Sequence, residues 1–352
     1  MTRALVELRS DTMTVPTDSM RQAMATAEVG DDVSREDPTV NELEAHVAEL
    51  FDKPSALLVS SGTQGNLCAV ITHCRPRDEV IAEERAHIVT WEVGGWASLA
   101  GVTMATVLAP RGIMTAALIE AVVKPIDVHL AKSRLVCVEN THNGAGGVCV
   151  TPQAMSEITR TARVHDLAIH VDGARIFNAA TALDMPVSDL VRDADSVQFC
   201  LSKSLGAPIG SMLVGSESFI QEARRVRKML GGGMRQAGVI AAAGLVALRE
   251  TPPKLAQDHA NARVLADMVT DVPGLMIDAG QIETNIVFFQ VDPAMATAPV
   301  FAERVGARGV RIIGFEGTQR CRAVTHHQVS QADVRYAGKV IGEVAVELMT
   351  AH

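Results

Sequence analysis

From residue 55 to about residue 250 the chain alternates short apolar runs with stretches of helical periodicity, and that rhythm leaves few folds open. Candidate strands lie at 55–59, 79–82, 135–139, 168–171, 196–200 and 211–214. Several are unbroken apolar runs, as expected of strands buried on both faces. Between them, 152–165 and 216–230 carry apolar side chains at helical spacing, with Met155, Ile158, Thr159 and Ala162 on one face of the first. Strands and helices in alternation predict βαβ units, hence an α/β fold with a mostly parallel central sheet covered on both faces. A boundary is expected near Thr251, Pro252 and Pro253. It separates a large domain over 1–250 from a small C-terminal α/β domain over 251–352, which opens on a helix at 255–269 and a strand at 285–290. A chain of 352 residues is long enough for such a division.

Charge and composition remove other classes. A net charge of -9 argues against nucleic acid, because a phosphate-backbone binder needs a concentrated basic face and the basic cluster at 224–228 is short. Arg3, Glu7 and Arg9 interrupt any apolar run of the kind a secretory signal needs. The longest apolar stretch, 238–248, falls short of the ~20 residues of a membrane-spanning helix. Six cysteines form no CxxC pair and several fall in strand-like runs, so buried reduced thiols in a cytoplasmic protein are expected. Eleven histidines form no HExxH and no close His/Cys set, so no metal is expected.

The strand at 168–171 runs into Asp172, and the strand at 196–200 is followed by Lys203, 31 residues further on. That interval accommodates one helix and one strand, so both groups emerge at the carboxyl edge where open α/β sheets place ligands. Read alone, Asp172 could be a helix N-cap and Lys203 a solvated charge. Together they fit the division of labour around pyridoxal 5'-phosphate: a lysine holds the aldehyde as an imine, and a carboxylate keeps the ring nitrogen protonated. The other lysines among the seven occupy polar or loop-like surroundings. Upstream, Ser60, Ser61, Gly62, Thr63 and Gln64 follow an apolar strand and open a helix, offering amides and the positive end of a helix dipole to a phosphate. No Walker A lysine and no GxGxxG supports a nucleotide instead.

The motifs LRSDT (8–12), EDPTVN (36–41), SGTQGN (61–66), ENTHN (139–143), HVDGARIFNA (170–179), CLSKSLGAPIGS (200–211), RKMLGGGMRQAG (227–238) and RAVTH (322–326) occur in one order. Together they resemble the low-specificity L-threonine aldolase family from about residue 7 to 340. The resemblance implies a fold-type I pyridoxal-phosphate enzyme that cleaves threonine or another β-hydroxy-α-amino acid to glycine and an aldehyde. It also implies a homotetramer, a dimer of dimers with shared active sites. On this resemblance Lys203 is the imine-forming lysine, Asp172 the ring-nitrogen partner, and Gly62 and Thr63 the phosphate cup. Ser10, Arg175 and Arg322 fall on positions that hold the substrate carboxylate, a task suited to the guanidinium fork. His87 resembles the histidine stacked on the cofactor ring, and His129 a second histidine near the substrate hydroxyl. Arg235 resembles a residue that reaches the phosphate of the neighbouring subunit.

The chain departs from the family at three places. Ser34 and Arg35 stand where the family reads DDVYGEDP, so a tyrosine is missing; Ser204 replaces a usual glycine; and 108–115 is shorter than its counterpart. Two other readings share part of this signature. A carbon-sulfur or β-eliminating lyase would keep Asp172 and Lys203 but commonly stacks a tyrosine, and the sole tyrosine here is Tyr336. A catalytically silent protein of the same fold would have no need of Ser10, His87, Arg175, Lys203 and Arg322 together.

Overall fold

The computed structural model describes residues 5–350. They divide into two units, one covering Val15–Glu250 and the other joining the segment up to Thr14 to the chain from Thr251 onward.

The larger unit is built on seven strands: β1 (Ser55–Val59), β2 (Glu79–Glu83), β3 (Thr103–Val107), β4 (Ser133–Glu139), β5 (Ala168–Asp172), β6 (Ser196–Cys200) and β7 (Ser211–Gly215). Their order across the sheet is β1-β7-β6-β5-β4-β2-β3. The β6-β5-β4-β2-β3 run is parallel, and β7 lies antiparallel between β1 and β6. β1, β2, β6 and β7 are buried nearly throughout, which accounts for their continuous apolar character. Helices cover the faces and start where the sequence can cap them. The helix Pro152–Val164 has proline in its first turn, and Thr151 Oγ1 accepts from the Ala154 amide; Met155, Ile158 and Ala162 form its buried stripe. Phe199 of β6 stacks on Phe51 at 4.8 Å between ring centres and meets Phe177 edge-on.

The smaller unit holds a four-stranded antiparallel sheet containing Ile286–Val291 and Arg320–Val324, backed by the helices Leu255–Thr270 and Gln331–Thr350. The sequence reading assigns the first 14 residues to the large domain, and strand pairing moves them. Val6–Glu7 runs parallel to Val310–Arg311, and Val6 and Leu8 are buried in the apolar cluster that also contains Phe289, Phe301 and Ile341. A two-residue strand has too little periodicity to reveal its partner from sequence.

Candidate active site

β5 ends on Asp172 and β6 ends three residues before Lys203; the two strands are parallel neighbours, so both groups leave the sheet at the same edge. The Asp172 side chain is 3% exposed. Its Oδ2 accepts from Asn66 Nδ2 at 2.8 Å and its Oδ1 from the Ala174 amide at 3.1 Å. Lys203 is half-buried, and its ammonium has no hydrogen-bond or ion-pair partner among the described residues.

The helix Gly62–His73 packs against this edge of the sheet. Ser61 caps it, with Oγ accepting from the Gln64 amide at 3.2 Å. Its first amides, from Gly62 and Thr63, have no intrahelical carbonyl to bond, which makes the turn an anion acceptor. The approach is close because two residues lack side chains. A Cβ on Gly62 would stand 2.9 Å from Cys200 Sγ, and one on Gly65 2.5 Å from Gln198 Cγ.

Strand alternation puts His170 and Asp172 on one face of β5, the face the helix Gly62–His73 covers. Asn66, near the start of that helix, bonds both of them and also donates to Glu92 Oε1 at 2.8 Å. Glu92 Oε1 in turn meets His87 Nδ1 at 2.9 Å. Burial opposes charge on His87, but the hydrogen bond that its Nδ1 donates to Glu92 and the nearby Asp172 outweigh it, and the imidazole pKa lies above its ordinary value. Burial and the Asp172 charge raise the carboxyl pKa of Glu92 despite its bonds to His87 and Asn66. A further buried carboxylate, Glu139 at the end of β4, accepts from the His87 amide at 2.6 Å and the Asn143 amide at 2.8 Å, fixing the backbone on either side.

The other expected residues fall into three groups. Arg175 is buried in the large unit, and its Nη1 donates to Asn143 Oδ1 at 3.3 Å. Ser10 and Arg322 belong to the smaller unit: Ser10 Oγ accepts from the Thr12 amide at 3.2 Å, and Arg322 Nη2 donates to the Arg9 carbonyl at 3.2 Å. His129 and Arg235 stand outside the cluster. The His129 side chain is 85% exposed and bonded to Asp127, and Arg235 is 62% exposed and paired with Asp31 at 2.9 Å.

Asn66 and His170 lie inside the motifs SGTQGN and HVDGARIFNA with no role assigned to them there, and Glu92 and Ser196 lie in none of the motifs. The signal for His170 was available, since it lies two residues before Asp172 in a strand; Glu92 and Asn66 offer no spacing that ties them to Asp172. Ligand atoms of His87, Glu92 and Asp172 lie within 4.8 Å of one another, a spacing that a cation could bridge. The Asn66 amide protons already point at both carboxylates and balance part of their charge.

Residues 7–292 match the β-eliminating lyase family. A low-specificity L-threonine aldolase of Arabidopsis thaliana is 45% identical over 336 residues, 94% of each chain. That of Escherichia coli (strain K12) is 40% identical, over 93% of this chain and 95% of its own. In fold, the chain matches the threonine aldolase of Leishmania major with a TM-score of 0.82 at 22% identity, covering 97% of this chain and 99% of that one.

Proposed function

The chain belongs to the β-eliminating lyase family and, within it, to the low-specificity L-threonine aldolases, and from that premise we propose that it cleaves L-threonine, L-allo-threonine and related β-hydroxy-α-amino acids to glycine and an aldehyde. It is a carbon-carbon lyase that uses pyridoxal 5'-phosphate. Asp172 and Lys203 at the ends of adjacent parallel strands carry this reading.

The donor set fits the cofactor. Asp172 offers an acceptor to a protonated ring nitrogen, Lys203 a partnerless amine to an aldehyde, and the turn at Gly62 and Thr63 unbonded amides to a phosphate. Bound there, pyridoxal phosphate supplies an electron sink for the charge left on the substrate Cα. The protein must then orient the substrate and take the proton of its β-hydroxyl. Arg175, Arg322 and Ser10 would hold the substrate carboxylate and so orient the bond to be broken; orientation of this kind contributes on the order of 7–11 kcal/mol in favourable cases. His87 would offer its ring face to the cofactor and accept the hydroxyl proton, a role supported by its half-buried ring and its bond to Glu92. His129 orients the hydroxyl. Its exposed place beside Asp127 means that this role requires the 127–130 segment to move.

The active form is a homotetramer in which Arg235 reaches a neighbouring subunit's phosphate. Exposed Trp91, Val93 and Leu99, in the segment that follows His87, support a covered apolar surface there. No helix among the described residues is long and apolar enough to cross a membrane. The six unpaired, buried cysteines fit the reducing cytoplasm; burial pushes the thiols of Cys68, Cys74 and Cys321 up to about 12.

Borohydride reduction followed by peptide mass spectrometry tests the centre of this reading. The pyridoxyl label should sit on Lys203 and vanish in Lys203→Ala, and L-threonine should yield glycine and acetaldehyde in equal amounts. A label on another lysine would displace Lys203, and a stable absorbance band without aldehyde release would exclude the aldolase reaction. Sedimentation of the holoenzyme should give four times the chain mass.

A further inference from the structure

Asn66 is 1% exposed, and each of its polar directions is occupied. Its Nδ2 lies 2.8 Å from both Glu92 Oε1 and Asp172 Oδ2. Ionised carboxylate oxygens only accept, so the amide nitrogen must face them and Oδ1 must face the other way, onto His170 Nε2 at 3.1 Å. An acceptor at that place requires Nε2 to carry the imidazole proton. His170 Nδ1 is then free to accept from the Ser196 hydroxyl at 2.8 Å, and Ser196 Oγ accepts from His73 Nε2 at 2.8 Å. Each assignment fixes the next, and every donor in the row points toward the two carboxylates. Burial keeps His170 neutral, its pKa pushed down to about 3, so the row does not depend on pH across the working range.

We propose that Asn66, locked in one orientation by His170 and Ser196, is a positioning residue that aims the Asp172 carboxylate at the cofactor ring nitrogen, so that cofactor binding depends on side chains that never touch the cofactor. This rests on the reading of Asp172 as the ring-nitrogen partner. Asn66 replaces the repulsion between Asp172 and Glu92 with a shared donor, and His170 keeps that donor from turning its oxygen toward them. Were the amide to rotate, an oxygen would face two carboxylates and a nitrogen would face an imidazole N–H, leaving both sides unpaired.

The test is a binding titration of apoprotein, followed by near-ultraviolet circular dichroism, with pyridoxal 5'-phosphate and with its deaza analogue, in which the ring nitrogen is replaced by C–H. Wild-type protein should prefer the natural cofactor. Loss of a hydrogen bond to a charged group corresponds to about ten- to a hundredfold in affinity. Asn66→Ala and His170→Phe should lose that much for pyridoxal phosphate with little loss for the analogue, so the preference collapses. His170→Gln, which keeps an N–H for Asn66 Oδ1, should restore most of it. Ser196→Ala removes a single hydroxyl and covers the case in which the larger changes prevent folding; it should lose preference in the same direction by a smaller factor. Equal losses for both ligands, or no loss, would overturn the proposal by showing that the cluster only supports the fold. Asp172→Asn separates the two claims. If it abolishes the preference while Asn66→Ala does not, only the positioning role fails; if it leaves the preference untouched, the role of Asp172 fails.

Discussion

His87 feels burial pulling its pKa down and Glu92 and Asp172 pushing it up, with the upward influences prevailing. A base must be unprotonated, so kcat should rise as pH climbs through this raised pKa and level off above it. Glu92→Gln removes the strongest upward influence and leaves burial, so the rise should move to lower pH. His87→Phe keeps an aromatic face without nitrogens and should lower kcat by ~10²-fold or more while erasing that rise. Near-normal kcat in this variant would assign the base elsewhere. Arg35 illustrates a different kind of residue effect. Its φ of 61° and ψ of 30° are left-handed, at a position where the resembling family carries glycine. A non-glycine residue there costs roughly 1–2 kcal/mol, offset in part by the ~0.5–1 kcal/mol of added chain entropy that glycine must lose. Arg35→Gly should therefore raise the urea midpoint by an amount equivalent to up to about 1 kcal/mol at unchanged slope. A lowered midpoint would mean that the arginine side chain contributes more than the strain removes.

The helix Gly62–His73 and the strands β5 and β6 share a polar seam: His73, Ser196, His170, Asn66 and Asp172 lie along it. Folded pKa values of about 4 for His73 and about 3 for His170, both caused first by burial, lie below the ordinary imidazole value. The unfolded chain therefore binds protons that the folded one refuses as pH falls below about 6.5, and stability should drop through that window by up to ~1.4 kcal/mol per pH unit for each such group. Urea titrations from pH 7 to pH 4 check this, and His170→Gln should flatten the slope. A Gly65→Ala variant probes the packing of the same helix. Its new Cβ, 2.5 Å from Gln198 Cγ, should cost ~1–3 kcal/mol despite the better helix propensity of alanine. Sequence patterning served these elements well where strands are buried on both faces, as in β1, β5 and β6. It passed over β3, whose Thr103 and Thr106 are exposed and whose pairing is to β2 alone, because an edge strand shows no continuous apolar run. The seam leaves no pattern in the sequence because its members are joined by hydrogen bonds across 130 residues, from Asn66 to Ser196, rather than by any local period.

At the scale of the whole chain, Arg175 belongs to the larger unit and Ser10 and Arg322 to the smaller one. Arg322→Ala should lose most of kcat/KM for threonine while leaving the cofactor spectrum intact, and restored turnover on adding excess pyridoxal phosphate would count against a substrate role. The motif order singles these residues out, but it does not reveal the allegiance of the N-terminal segment, since a pairing of residues 6–7 with 310–311 leaves no trace in either stretch alone. That pairing also has a consequence for biosynthesis. The Leu8 carbonyl accepts from the Val324 amide, and the core around Val6 and Leu8 includes Ile341, so residues 6–8 find these neighbours only after the chain has been made through residue 341. The intervening 15–250 unit has its own sheet and core and can fold in the meantime. Pairing residues 6–7 with 310–311 then spans more than 300 residues of sequence, which makes that contact a late step and leaves Val6 and Leu8 without their core neighbours until it forms.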